Sequence, residues 1–135
     1  MDRNKIIDAM LAKTKEIFNA NEKYYSKGEH GIMVVQIRSE KYPDRWDSTI
    51  LPFGAFYAGE AGEGFSYDTT VHEKIAYVRR TGKNSGAERE EVVGTESFWH
   101  GAIVSKDGNC ICAFSGFAGE DDVLIAEAGM AIYES

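Results

Sequence analysis

The sequence has little cysteine and proline, with only two of each among its 135 residues. Cys110 and Cys112 are two residues apart, so in a strand both side chains would point to one face. A disulfide between them there would be badly strained. A zinc site would usually need a second Cys or His pair at ligand spacing, which is missing. We therefore predict two reduced, core-facing thiols and no metal site.

Long apolar runs and an excess of positive charge are also missing. No stretch approaches the run of about 18 apolar residues that a membrane-spanning helix needs. The charged N-terminus is followed by an amphipathic pattern, unlike a secretory signal. The 22 acidic and 15 basic residues give a net charge of -7, which repels a nucleic-acid backbone. We expect a cytoplasmic protein that has neither a membrane nor nucleic acid as partner.

The length and composition suit one folded domain over residues 1–135. Hydrophobic residues make up 43% and aromatic residues 12% of the chain, which is ordinary for a globular domain with one core. The chain is too short for two comfortable cores.

Apolar residues at three- and four-residue spacing predict two helices in the first two thirds of the chain. The first runs from Asp2 to about Lys27, with Gly28 past its last turn. The second covers Asp68–Thr81, with Thr70-x-x-Glu73 as a capping box and Gly82 just beyond the end. Arg79, Arg80 and Lys83 form a small basic cluster there. These cations suit the negative end of the helix dipole, and an anion site is the alternative.

A third helix is predicted from Gly119 to about Glu134. Its first turn is acidic, which suits the positive end of the helix dipole. Small residues along it indicate close packing on a sheet. The side chains predicted to face inward are Val123, Leu124, Ala128, Ala131 and Ile132.

The remaining segments predict an antiparallel sheet. Strands are predicted at residues 32–38, 49–57, 98–105 and 109–115. Pro52 indicates an edge strand or a bulge. Lys106–Asn109 is predicted to be a tight hairpin turn in which Asp107-Gly108 supplies the positive backbone angles. Residues 83–96 have no clear assignment, and Val92-Val93 is their one hint of a strand. The expected fold is α+β, with a sheet of about five strands flanked by helices.

The C-terminal third carries a resemblance to a known family. Residues 101–108 (GAIVSKDG), 113–122 (AFSGFAGEDD) and 125–129 (IAEAG) resemble the GlcG/HbpS-like family of small α+β domains with a profilin-like arrangement. The resemblance implies a small-ligand-binding or sensor domain that forms homo-oligomers, and some members bind heme. The cofactor of this chain stays unassigned, because its first predicted helix has no His to match the heme-ligating histidine of some relatives.

His100 is the leading candidate for a ligand or catalyst among His30, His72 and His100, because the aromatic Phe98 and Trp99 beside it would wall a flat ligand. Most histidines in a domain serve neither as a ligand nor as a catalyst. The strand-to-helix turn after Ser115 presents free backbone N–H groups that would hold a ligand. The candidate ligand-binding residues are His100, Trp99, Ser115, Gly116, Gly119 and Asp121.

An alternative hypothesis is an enzyme or accessory factor of small-molecule metabolism. It would use His100 with an acid from Glu120–Asp122. The simpler role for these acids is electrostatic capping of the helix. Neither the ligand nor a reaction class follows from the residues alone.

The aromatic content favours a homo-oligomer. Seven Tyr, seven Phe and two Trp provide more large apolar surface than one thin sheet easily covers. Several of them fall in or near predicted loops and helix ends, where a partner copy would bury them: Tyr24, Tyr25, Tyr42, Trp46, Phe56, Tyr57 and Phe65. The alternative is that these rings fold back over their own core.

Overall fold

Three helices and six strands are formed by the residues that the computed structural model describes, which are 3–22, 31–53, 57–58, 65–86, 92–96, 99–117 and 119–135. In chain order they are α1 (Arg3–Ala20), β1 (Ile32–Arg38), β2 (Trp46–Pro52), β3 (Tyr57–Ala58), β4 (Phe65–Ser66), α2 (Tyr67–Thr81), β5 (Ala102–Val104), β6 (Cys110–Ser115) and α3 (Gly119–Glu134). No helix in this described part is long and apolar enough to cross a membrane.

The main sheet is antiparallel and has four described strands in the order β2-β1-β6-β5. Pro52 lies on the outer strand β2, as its missing N–H predicted. Strands β3 and β4 form a separate pair. The main sheet of the described residues thus has four strands, fewer than the predicted number of about five. Val92-Val93 add no strand because residues 93–96 form a turn, in which Glu96 N–H donates to the Val93 carbonyl over 3.1 Å.

Helices cover both faces of the sheet. The central strand β1 is buried almost throughout, because alternate residues enter two different cores. Met33, Val35 and Ile37 pack in the core that includes side chains of α1 and α3. Ile32 and Val34 pack in the second core with side chains of α2. The order is therefore helix layer, sheet, helix layer.

The inward face of α3 differs from the prediction. Its buried residues are Asp121, Asp122, Ile125, Ala126, Gly129 and Met130, whereas Leu124 and Ala131 are exposed. The prediction chose the inward face from apolar side chains alone, whereas the buried face also includes Asp121 and Asp122. The expected close packing is confirmed: a Cβ on Gly129 would lie 2.9 Å from Cys112 Sγ.

Two helix boundaries also differ from the sequence pattern. Helix α2 begins at Tyr67, so Thr70 is a buried residue inside the helix and the predicted capping box is wrong. The predicted stop is confirmed, since Gly82 has φ +71° and its N–H donates to the Val78 carbonyl. Helix α1 ends at Ala20, and the predicted continuation through residues 23–28 lies outside the described residues.

The predicted cysteine state is confirmed. Cys110 and Cys112 are both free and buried in the core between the sheet and α3. Burial raises the pKa of the Cys110 thiol to about 12 and that of Cys112 well above its ordinary value. Both thiols are therefore protonated core groups with little nucleophilic character.

The hairpin between β5 and β6 is present, but its turn is longer than two residues. Ser105 N–H donates to the Cys110 carbonyl and Gly108 N–H donates to the Ser105 carbonyl. Gly108 has φ +76°, and no other residue of the turn has a positive φ. The Asp107 carboxylate accepts from the Ser105 hydroxyl over 2.6 Å, which holds the turn closed.

We expect Gly108→Val to lower the free energy of unfolding by about 1 kcal/mol or more, because a β-branched residue is strained at positive φ. The space around Gly108 is open, so the loss would come from the backbone rather than from a clash. Urea denaturation measures it, with Gly108→Asn as the matched control, since Asn tolerates this conformation. Equal stability of Gly108→Val and the unsubstituted protein would contradict the assignment of the turn.

Candidate functional site

A cavity of about 260 Å³ lies where α2, the end of β6 and the start of α3 meet. Its lining residues come from three separate parts of the chain and include three aromatic side chains. The lining residues are Tyr67, Thr70, Lys74, Trp99, His100, Ser115, Phe117, Gly119 and Asp122. Mostly apolar cavities with a few convergent polar groups are the usual form of small-molecule sites.

A buried ion pair forms part of the cavity wall. Lys74 Nζ donates to Asp122 Oδ2 over 3.0 Å and to the Phe114 carbonyl over 3.0 Å. Asp122 Oδ1 accepts from the Phe117 backbone N–H over 2.9 Å. Lys74 and Asp122 are only 1% and 2% exposed. Each charged group is thus compensated by direct hydrogen bonds, as a buried charge requires.

Burial shifts the ionisation of both partners. Burial raises the pKa of Asp122 to about 7, although the Lys74 ammonium and the Phe117 N–H act in the opposite direction. Burial also lowers the pKa of Lys74, which the Asp122 carboxylate partly offsets. Removal from water therefore outweighs the mutual attraction at both groups. As a result, the Asp122 carboxyl can gain or lose a proton near neutral pH.

Gly101 allows the backbone to approach this ion pair. It has φ +128°, and a Cβ there would lie 2.8 Å from Lys74 Nζ and 2.9 Å from Asp122 Cβ. The same Cβ would lie 2.6 Å from the Phe114 carbonyl oxygen, to which Lys74 donates. Any side chain at this position would therefore displace the ammonium from its two acceptors.

His100 and Trp99 form the exposed side of the cavity. Trp99 is 49% exposed, and His100 is exposed as well. The imidazole packs against two glycines, because a Cβ on Gly86 would lie 2.5 Å from His100 Nδ1 and one on Gly119 would lie 3.1 Å from His100 Cβ. The ring is thus held in place while part of it faces solvent.

Aromatic residues connect the cavity wall to the core. The Phe117 ring stacks on Phe114 at a centroid distance of 5.8 Å and lies 5.8 Å from Phe18. On the opposite side, burial and the nearby Asp122 carboxylate raise the pKa of Tyr67. The phenol of Tyr67 is therefore a neutral hydrogen-bonding group.

The structure brings four of the six predicted ligand-binding residues together. His100, Trp99, Ser115 and Gly119 line the cavity, whereas Gly116 and Asp121 are buried outside its lining. Asp122 takes the place expected of Asp121, since successive helical residues point about 100° apart. His100 precedes β5 instead of opening the strand predicted at 98–105, because Gly101 leaves the extended conformation.

Four residues of the cavity were not named as site candidates from the sequence: Tyr67, Thr70, Lys74 and Phe117. Asp122 was named only as one of the three acids of the enzyme hypothesis. One signal was available. Lys74 lies three residues after Val71 and four before Val78, in the middle of the apolar face of α2. A lysine at such a position must be buried with a partner, but the sequence does not show which carboxylate that is.

The described cavity does not fit a heme. Pockets for drug-sized ligands begin at about 300 Å³, a tetrapyrrole is larger than such ligands, and this cavity has about 260 Å³. A charged pair also occupies a wall where a porphyrin face would need apolar side chains. Among the described residues, no group of three or more His, Cys, Asp or Glu could hold a metal ion.

We expect the Asp122 carboxyl to titrate near pH 7 in the folded protein, where burial raises its pKa from 3.8 to about 7. The pKa of Asp122 is higher in the folded than in the unfolded protein, so protonation of this carboxyl favours the folded state. Its contribution to the free energy of unfolding is complete below about pH 4 and is lost as the pH rises through about 7. The carbon-13 chemical shift of the Asp122 carboxyl carbon, followed against pH, measures this titration in the folded protein. Asp107 is the internal control, because the Ser105 hydroxyl lowers its pKa. A midpoint for Asp122 at or below that of Asp107 would contradict the assignment.

Comparison with solved structures shows which fold this is. A double mutant of HbpS from Streptomyces reticuli matches with a TM-score of 0.64 and 15% identity, over 95% of this chain and 84% of that chain. The Ybr137w protein matches with a TM-score of 0.58 and 17% identity, over 92% and 75%. No family model and no curated protein sequence matches. The chain therefore has the GlcG/HbpS-like fold that its C-terminal residues predicted, and at these identities the likeness concerns the fold alone.

Proposed function

We propose that this protein is a small-ligand-binding or sensor domain whose ligand occupies the cavity between α2 and the start of α3. The observation that carries the proposal is the Lys74–Asp122 ion pair, which is almost fully buried and yet forms part of the cavity wall. A heme is a poor candidate for this cavity on the grounds of size and wall chemistry.

The energetics of buried ion pairs support a functional role for this one. Removing two charges from water costs several kcal/mol per ion, and apolar residues of similar volume are often as stabilising or more so. Stability alone is therefore a weak reason for placing Lys74 against Asp122. Buried groups with shifted pKa values beside a cavity are typical of binding and catalytic sites.

The wall chemistry defines the class of ligand. Because Lys74 and Asp122 neutralise each other, the buried end of the cavity carries no net charge when both are ionised. Tyr67, Thr70 and Ser115 add hydroxyl groups, and Trp99 and Phe117 add aromatic surface. The ligand that suits this wall is smaller than a tetrapyrrole, has a flat apolar body and carries an uncharged hydrogen-bonding group.

A fragment screen observed by protein NMR tests the proposal. We expect flat, uncharged heteroaromatic fragments to shift the resonances of Trp99 and His100. Trp99→Ala should weaken the best fragment about tenfold, the usual cost of losing a stacking partner and its apolar area. His72→Ala on α2 is the control for His100→Ala, because His72 lies outside the cavity lining and bonds to Asp68. Fragments that bind without shifting cavity resonances would overturn the proposal.

Hemin provides a separate arm of the same test. We expect no saturable Soret shift that depends on His100, because the cavity is too small and its charged wall is unsuited to a porphyrin. A saturable spectrum that is lost in His100→Ala and kept in His72→Ala would restore heme as the ligand.

A second candidate function is proton transfer to a bound substrate. Only Asp122 of the three acids at the start of α3 shares the cavity wall with His100, since Glu120 is exposed and Asp121 lies outside the lining. An imidazole and an acid whose burial raises its pKa to about 7 line the same cavity, which suits general acid–base chemistry. A metabolite panel in which His100→Ala retains the turnover of His72→Ala would argue against this candidate.

We also propose that the protein forms a homo-oligomer. Of the rings that suggested assembly, Tyr42 is 47% exposed and Trp46 is half-buried, and the other five side chains lie outside the described set. Ile50 on the outer strand β2 is 47% exposed as well, at an edge that can pair with another strand. Light scattering should give a multiple of the 15.0 kDa chain mass. A mass that stays near that of one chain at high concentration would contradict assembly.

A further inference from the structure

A second concave surface lies at the opposite end of α2 from the cavity. It has a volume of about 310 Å³ and lies between the last turn of α2, the end of β1, the start of β2 and the β5–β6 turn. We call it the basic groove. Its charged and aromatic lining residues are Arg38, Trp46, Arg79 and Lys106.

The charge of the basic groove is opposite to that of the whole protein. The chain has a net charge of -7, yet three cations and no carboxylate are found among the described residues that line the groove. Two carboxylates near the β5–β6 turn are engaged elsewhere: Asp107 accepts from Ser105, Asn109 and Tyr133, and Glu134 accepts from the Lys106 backbone N–H over 3.3 Å. Among the described residues, three like charges are thus gathered in the groove lining without an acidic side chain.

The groove arginines are positioned by neutral groups. Arg38 donates to the Pro43 carbonyl over 2.7 Å and to Asn109 Oδ1 over 3.3 Å, and its guanidinium lies 4.4 Å from the centre of the Trp46 ring. The Arg79 guanidinium lies 5.8 Å from the same ring. Neither has a carboxylate partner in the described part of the chain, so both charges remain available.

Arg80, the residue after Arg79, is an arginine whose charge is neutralised by a carboxylate. Arg80 makes two hydrogen bonds to the Glu96 carboxylate, at 2.6 and 2.9 Å. The last turn of α2 therefore carries Arg80, which pairs with a carboxylate, and Arg79, which has no carboxylate partner among the described residues. The helix carbonyls that would repel an anion are partly compensated, because Tyr77 and Val78 carbonyls accept from the Thr81 hydroxyl and the Gly82 N–H.

We propose that the basic groove binds a small molecule through a multiply charged oxyanion, either a phosphate or a polycarboxylate group. Guanidinium groups match the planar, bidentate geometry of such anions, and two arginines with a lysine supply the charge that a dianion needs. The apolar side chains of Val78, Val104 and Ile111 line the rest of the groove and suit a small organic body. The acidic remainder of the protein disfavours a long polyanion such as nucleic acid.

Tryptophan fluorescence tests the proposal directly. The chain has two tryptophans, so Trp99→Phe leaves Trp46, which contacts both groove arginines, as the sole reporter. We expect pyrophosphate or citrate to change its emission saturably, and the tighter of the two identifies the phosphate or polycarboxylate source. Arg79→Gln and Lys106→Gln should each weaken binding about tenfold or more.

Lys15→Gln is the matched control, because it removes the same charge from an exposed position on α1 outside the groove. It should leave the affinity within about twofold, since exposed charges at that distance are screened by salt. An equal effect of Lys15→Gln and Arg79→Gln would show general attraction and overturn the proposal. Binding weaker than about 1 mM for both anions would overturn it as well.

Discussion

The ion pair between Lys74 and Asp122 holds the two helix layers of this protein together at one end of the sheet. Lys74 belongs to α2, which covers one face of the sheet, and Asp122 belongs to the first turn of α3, which packs on the other. The Phe114 carbonyl near the end of β6 lies between them and accepts from the same ammonium. The cavity lies at this point because β6 ends and α3 begins beside the middle of α2, where Lys74 is buried. Removing only one partner would cost about 3 to 5 kcal/mol, since the other charge would remain buried and unpaired.

The sequence predicted the parts of the fold that depend on neighbouring residues. The start of α3, the stop after α2 at Gly82 and the edge position of Pro52 each follow from local backbone chemistry. The buried thiols follow from the period of a strand. The number of strands was overestimated because Val92 and Val93 have the side chains of a strand, whereas a hydrogen-bonded turn at residues 93–96 decides their conformation.

The candidate site was predicted only in part because its central contact spans 48 residues of sequence. The rule that apolar side chains face inward selected the wrong side of α3, since Asp122 is inward by virtue of a lysine on another helix. Lys74 lies among the apolar residues of α2, so its position predicts burial in the core. A buried charge requires a partner there, and the sequence does not identify that partner. Ser115 and Gly119 were named as candidates because they flank a strand-to-helix turn, which is a local feature, and both line the cavity. Gly101 had no local signal for its role beside the ion pair.

The two cations that α2 contributes to concave surfaces differ in burial: Lys74 lines the cavity and Arg79 lines the basic groove. In the middle of α2, Lys74 is removed from water and requires the Asp122 carboxylate, so the cavity wall presents a neutral pair and hydrogen-bonding groups. In the last turn of α2, Arg79 is exposed to solvent, and no carboxylate of the described residues pairs with it. A hydrated cation can exchange water for an anionic ligand at modest cost, whereas a buried, paired one cannot. One helix therefore contributes a buried, paired lysine to the cavity and an exposed arginine to the basic groove.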